Sequence, residues 1–276
     1  MARKFSPEHE AFACLAYRHT IGLSSRPGPY GKGRPFWAGS GVLLSISGGL
    51  YLATAAHVLR DIGLRNLAAY YPADGATFVY TTEAEFAEKA KSAPIPKFGL
   101  PVPLDLAARD VSWDDKHDVA VARISPRGAP QPAFPYDLSN AADELPAPNS
   151  VALMFAYPQS TSVVSGTKRV RVIRAGGYAC IIDVVRSDSP DGWADGFDPP
   201  AQFEMHFDSA EIPGHDNFDL HGMSGGGIWR CVPQRRESLW FPTICLQGLQ
   251  VSWRKESKLL KATGVKTIRK LVASLA

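Results

Sequence analysis

His221-Gly222-Met223-Ser224-Gly225-Gly226-Gly227 stands between an aspartate-rich segment and the apolar pair Ile228-Trp229. Glycine on both sides of Ser224 lets the backbone take turn geometries that a Cβ would forbid, so main-chain N–H groups can converge beside the serine oxygen. Such a turn stabilises an oxyanion, and Ser224 at its centre reads as a nucleophile. The same string also fits a plain glycine-rich turn. The choice depends on the rest of the chain, because a serine hydroxyl is a weak nucleophile at neutral pH and needs a base and a group to orient that base.

Two other segments supply those groups. Leu52-Ala53-Thr54-Ala55-Ala56-His57-Val58-Leu59 sets a histidine after an apolar, strand-like run, with small residues before it that allow close approach. Lys116-His117-Asp118-Val119-Ala120-Val121-Ala122-Arg123-Ile124 sets an aspartate at the mouth of a strand. Asp114 and Asp115 precede that strand and read as a solvated turn. His117 should face away from Asp118, since neighbours on a strand alternate sides. The candidate catalytic residues are therefore His57, Asp118 and Ser224.

Their order in the chain narrows the chemistry. Gly222-x-Ser224-x-Gly226 also fits the nucleophile elbow of α/β-hydrolases, in which the histidine comes last. No histidine follows Ser224, and no aspartate precedes His57 as the subtilisin order would require. Of the three orders only His, Asp, Ser remains.

Thr54-Ala55-Ala56-His57, Asp118-Val119-Ala120-Val121 and Gly222-Met223-Ser224-Gly225-Gly226 resemble the three catalytic blocks of trypsin/chymotrypsin-like serine peptidases, the family from which the general triad template is drawn. Gly248-Leu249-Gln250-Val251-Ser252-Trp253 resembles that family's strand along the substrate, with one residue more than the usual spacing. The resemblance runs from about Ala13 to Trp253. It implies an all-β fold of two antiparallel β-barrels with the active site in the cleft between them, His57 and Asp118 on the first and Ser224 on the second. It implies peptide hydrolysis through an acyl-enzyme, an oxyanion hole from the N–H groups of Gly222 and Ser224, a protein or peptide substrate, and no cofactor.

The resemblance places the floor of the substrate-binding pocket at Phe218 and Asp219 and its wall at Ser252, Trp253 and Arg254. Asp219 would favour a basic side chain, Arg254, Lys255 and His221 an acidic one, and Phe218 a closed apolar floor, so no preference follows. Digestive relatives are switched on when a new N-terminus pairs with an aspartate just before the serine, a position held here by Met223. Activation of that type is not expected. Either the site is formed as synthesised or an activating protein partner orders it. Compact members without a secretion signal resemble bacterial regulatory or defence-associated proteases. Two other readings are a binding or scaffold module with vestigial activity and an esterase-like acyl hydrolase using the same site.

Composition sets wider bounds. With 276 residues and 45% hydrophobic content the chain can bury a substantial core, in one or two compact units. A formal charge of +3 points to neither nucleic acid nor membrane. The first ten residues reach acids without an apolar stretch, and no run is long enough to span a bilayer. The four cysteines, Cys14, Cys180, Cys231 and Cys245, fall in no framework spacing, so buried free thiols and a cytoplasmic home are expected. Cys231 and Cys245 flank a hairpin, and a disulfide between them across it is the alternative. His206, Asp208, His215 and Asp216 match no ligand spacing, so no metal is expected.

In chain order, residues 1–125 form the N-terminal barrel, 126–149 a proline-rich connector with no regular core element, 150–255 the C-terminal barrel and 256–276 a terminal helix. A short helix capped by Ser6 with Pro7 at its first position opens the chain, followed by a strand at 13–21. Residues 36–46 and 50–54 form a hairpin about Gly48-Gly49 that delivers His57. Strands are expected at 67–71, 77–80, 118–124, 150–156, 169–175, 178–185 and 202–207, an extended run at 94–103 and a helical insertion at 82–91. Val265, Ile268, Val272 and Leu275 recur at helical spacing, with the lysines and arginines of that segment as its solvated face.

Overall fold

Phe12, Ala13, Ala16 and Tyr17 repeat at helical spacing and are all buried, and that stripe decides the first element. Helix α1 spans Pro7–His19, so residues 13–19 are helical where the sequence reads as strand. Thr20 Oγ1 donates to the Ala16 carbonyl at 2.8 Å and closes its last turn. The computed structural model describes residues 7–26, 37–71, 102–104, 106–125, 134–159, 162–166, 171–175, 177–185, 193, 196–207, 220–236 and 239–275. The strand expected at 77–80 and the helix at 82–91 lie outside them.

The first half is a sheet of eight strands: β1 (Thr20–Ser25), β2 (Trp37–Ile46), β3 (Gly49–Ala55), β4 (Leu67–Tyr70), β5 (Val102–Leu104), β6 (Val111–Asp114), β7 (Val119–Arg123) and β8 (Tyr136–Asp137). Its order is β5-β4-β1-β2-β3-β7-β6, antiparallel throughout, with β8 added parallel to β2. Among the described residues this sheet is an open path, where a closed barrel was expected. The β2–β3 turn is fixed by Ser47 at φ 48° and Gly48 at φ 77°, the two positive values that a two-residue hairpin turn demands. Pairing of Val42 with Ala53 follows, and helix α2 (Ala56–Ile62) leaves the end of β3 with His57 in its first turn.

The connector is not structureless. Its β8 joins the first sheet and Leu138 is fully buried, while the Tyr136 hydroxyl accepts from Leu246 N at 3.3 Å in the second half. Proline density stops long elements but leaves room for two residues of strand.

In the second half β9 (Val151–Ala156), β12 (Tyr178–Val185), β13 (Gln202–His206), β14 (Gly227–Arg236), β15 (Leu239–Arg254) and β16 (Leu259–Gly264) close a six-stranded barrel in the order β12-β13-β16-β15-β14-β9. β10 (Ser162–Gly166) and β11 (Arg171–Ala175) pair as a separate hairpin. Residues 259–264, assigned above to the terminal helix, are the strand β16: Leu260 and Ala262 alternate into the barrel interior with Met154, Phe203 and Met205. Helix α3 is confined to Val265–Ala273 and buries Val265, Ile268, Leu271 and Val272.

Cys231 pairs with Ile244 and Cys245 with Arg230, which puts the two thiols on opposite faces of the β14–β15 ribbon. All four cysteines are free. No helix among the described residues is long and apolar enough to cross a membrane.

Tyr17 of α1, Phe155 and Tyr157 stack edge-on or tilted with ring centroids 5.6 to 6.4 Å apart. Together with Ile21, Leu44, Trp229 and Leu246 they belong to one core cluster shared by both halves. The core shared by the two halves is therefore largely apolar, so hydrogen bonds buried beside it compete little with water.

Candidate active site

Asp118 sits just before β7 in a left-handed backbone conformation, φ 53°, which turns it back over the start of α2. Three hydrogen bonds follow. Its carbonyl accepts from Ala56 N at 2.9 Å, its Oδ1 from His57 N at 3.0 Å, and its Oδ2 meets His57 Nδ1 at 2.6 Å. A carboxylate on Nδ1 keeps the proton there and leaves Nε2 with its lone pair, the tautomer a general base needs. Burial disfavours the charged imidazole, but the hydrogen bond and charge of Asp118, aided by Asp61, outweigh it and hold the His57 pKa above its ordinary 6.5. The His57 side chain keeps 40% of its surface exposed against 19% for Asp118, so the imidazole is reachable while its partner is screened.

His117 faces away from His57, as expected, but the cause is the turn between β6 and β7 with its left-handed Asp118, not strand alternation. Its Nδ1 meets Asp114 Oδ2 at 2.7 Å and its Nε2 meets Asp198 Oδ2 at 3.0 Å. Asp114 is therefore not a solvated turn residue but cups His117 with its side chain, and its Oδ1 accepts from His117 N at 3.1 Å. Asp115 is exposed and pairs with Arg60. Thr263 Oγ1 donates to the His117 carbonyl at 2.7 Å, tying the Asp118 segment to the barrel.

Ser224 stands in the turn that enters β14. Gly225 beside it has φ 87°, and a Cβ there would overlap Ser40 O and Thr54 Oγ1 and stand 3.0 Å from Ala55 N. Only glycine fits. The Ser224 turn thus lies in contact with the strand end that leads into His57, and Thr54 Oγ1 donates to Ser40 O at 2.6 Å to keep that strand closed.

The orientation of the turn follows from its carbonyls, since N–H points opposite the preceding C=O in a trans peptide. The His221 carbonyl accepts from Gln159 N at 2.7 Å, and the Met223 carbonyl from Gly226 N at 2.9 Å. The N–H groups of Gly222 and Ser224 are turned away from those partners. Neither donates to an acceptor among the described residues. Between them, the Gly222 carbonyl accepts from Ser40 Oγ at 3.0 Å, and after them the Ser224 carbonyl accepts from Ser40 N at 2.8 Å. Four successive peptide planes are fixed, leaving two N–H groups able to meet an oxyanion.

Ser252, Trp253 and Arg254, expected as the pocket wall, lie on β15. Its register with β16 jumps between Gln250 and Ser252, a β-bulge. Ser252 and Trp253 are half-buried. Arg254 is turned onto Trp193, its Cζ 5.0 Å from the ring centroid, with Nε donating to Ser257 Oγ at 2.5 Å. Phe218 and Asp219 lie outside the described residues, as do Asp208, His215 and Asp216. His206 is exposed, and among the described residues no three His, Cys, Asp or Glu side chains form a metal-binding group.

Ser40 and Gln159 were not singled out in the sequence. Gly39-Ser40-Gly41, small residues inside a strand, was the available signal of a close approach. Gln159 acts through its backbone and leaves no trace in residue type. No family model and no curated protein matches the chain.

Proposed function

We propose that the protein is a serine endopeptidase of the trypsin/chymotrypsin-like type, with His57, Asp118 and Ser224 as its triad. The supporting observation is the pair of bonds from the Asp118 carboxylate to His57 N and Nδ1, at 3.0 and 2.6 Å, beside a turn whose Gly222 and Ser224 N–H groups have no acceptor among the described residues.

In this reading Ser224 Oγ adds to the carbonyl carbon of the scissile peptide while its proton passes to His57 Nε2. The carbonyl electron pair moves onto oxygen, where Gly222 N–H and Ser224 N–H meet it. Collapse breaks the C–N bond, the amine leaves with the proton from His57, and an acyl-Ser224 ester remains. Water then gives a proton to His57 and adds to the ester. Collapse returns the proton to Ser224 Oγ and releases a carboxylic acid. Asp118 stays ionised throughout. Substrate runs along β15 past Ser252 to Arg254. Four free thiols fit a reducing compartment, so the cytoplasm is the proposed setting.

Labelling with a fluorophosphonate tests the nucleophile. Wild type is expected to label, and Ser224→Ala and His57→Ala are expected not to. Folded wild type that does not label would leave a scaffold, or a site that a partner must order.

A further inference from the structure

Ser40 lies outside the triad, yet it holds the nucleophile turn at two points. It is fully buried on β2 of the first sheet. Its N–H donates to the Ser224 carbonyl at 2.8 Å and its hydroxyl to the Gly222 carbonyl at 3.0 Å. The same hydroxyl accepts from Tyr157 N at 2.9 Å, at the end of β9 in the barrel, and the Ser40 carbonyl accepts from Thr54 Oγ1 at 2.6 Å. One side chain of the first half thus bridges two backbone segments of the second.

We propose that Ser40 is a positioning residue through which the first sheet sets the oxyanion-binding turn of the barrel, an inference that rests on the serine-peptidase reading of that site. The physical reason lies in Gly222, whose φ of 89° and missing side chain leave it free to rotate. Gly222 joins the peptide plane that carries its own N–H to the next plane, and the Ser40 hydroxyl clamps that next plane, which lies between the two that carry the hole's N–H groups. Without that hydroxyl the buried bonds to the Gly222 carbonyl and from Tyr157 N are lost, and the turn moves to satisfy the Gly222 carbonyl. The loss falls on the charged transition state. A substrate carbonyl needs the hole least before it becomes an oxyanion, so kcat drops and KM holds.

The test uses full-length Ser40→Ala and Ser40→Cys, with Thr243→Ala as a control that removes a hydrogen bond of the same kind, Thr243 Oγ1 to Val232 O, elsewhere in the barrel. Ser224-dependent hydrolysis of a peptide ester is measured, with binding of a peptide boronate, which becomes tetrahedral on Ser224, and of the same peptide as a carboxamide. For Ser40→Ala, kcat and boronate affinity are each expected to fall about tenfold or more, with KM and carboxamide affinity within about twofold. Ser40→Cys, a weak donor, falls in between. Thr243→Ala lowers Tm and leaves kcat unchanged.

A Ser40→Ala protein with a lower Tm and unchanged kcat would overturn the proposal, reducing Ser40 to a structural residue while the peptidase reading stands. Should the alanine variant not fold, the kcat of Ser40→Cys decides in the same way. Wild type without Ser224-dependent turnover would overturn both readings together.

Discussion

The Asp118 carboxylate bonds His57 twice, once at the main-chain N–H and once at Nδ1. The first bond fixes where the residue starts, the second how its ring stands. Asp118→Asn is expected to lower kcat by about ten-thousandfold, because an amide can present N–H to Nδ1 and favour the wrong tautomer. Thermal melting should show the variant folded.

The same contact sets the pH profile. In the proposed mechanism the neutral imidazole is the base, and Asp118 raises the His57 pKa, so wild-type kcat/KM should rise with pH about a midpoint above 6.5. Any residual activity of Asp118→Asn should show that midpoint shifted down. The stabilisation that the charged pair gives is complete below the unfolded value of 6.5 and is lost as pH rises through the higher folded value. A midpoint unchanged by the substitution contradicts this assignment.

Gly225→Ala meets two obstacles, a left-handed backbone and atoms of Ser40 and Thr54 already in the space. Urea denaturation is expected to show a loss of at least about 2 kcal/mol, and turnover should disappear with it.

Much of this was legible before folding. The small residues before His57, the alternation after Asp118 and the glycines about Ser224 singled out three candidate residues, of which the structure pairs His57 with Asp118. The second barrel was legible where β-branched and apolar residues alternate, as at Tyr178–Val185. Three places were not. Residues 13–19 are rich in helix formers and continue the buried stripe of α1, so the first strand begins only at Thr20, seven residues later than expected. Residues 259–264 hide a strand inside a basic run, because Lys261 lies fully covered with its Nζ on the Gly196 carbonyl and above Trp193. The Ser40 clamp joins positions far apart in sequence, Ser40 with Gly222 and Tyr157, and only the docked halves bring them together.

Asp198 supplies a second pH effect. Hydrogen bonds from Lys116 and then His117 hold its pKa below the ordinary 3.8. The stabilisation is present above the unfolded value of 3.8 and is lost as pH falls through the lower folded value. Thermal melts should place Asp198→Asn below wild type at pH 7, with the gap closing in acid and narrowing in high salt.

Thiol counting checks the β14–β15 ribbon. Air-oxidised protein, unfolded without reductant, should still titrate four free thiols, because Cys231 and Cys245 lie on opposite faces. A Cys231–Cys245 disulfide formed in the folded protein would contradict the register.

The most direct measurement is cleavage of an unstructured peptide library by purified wild type and by Ser224→Ala, followed by mass spectrometry of the new amino termini. Wild type is expected to cut internal peptide bonds and Ser224→Ala to cut none, a loss on the order of a millionfold. Equal cleavage by the two proteins, or labelling of Ser224 by a fluorophosphonate without cleavage of any peptide, would contradict the endopeptidase account.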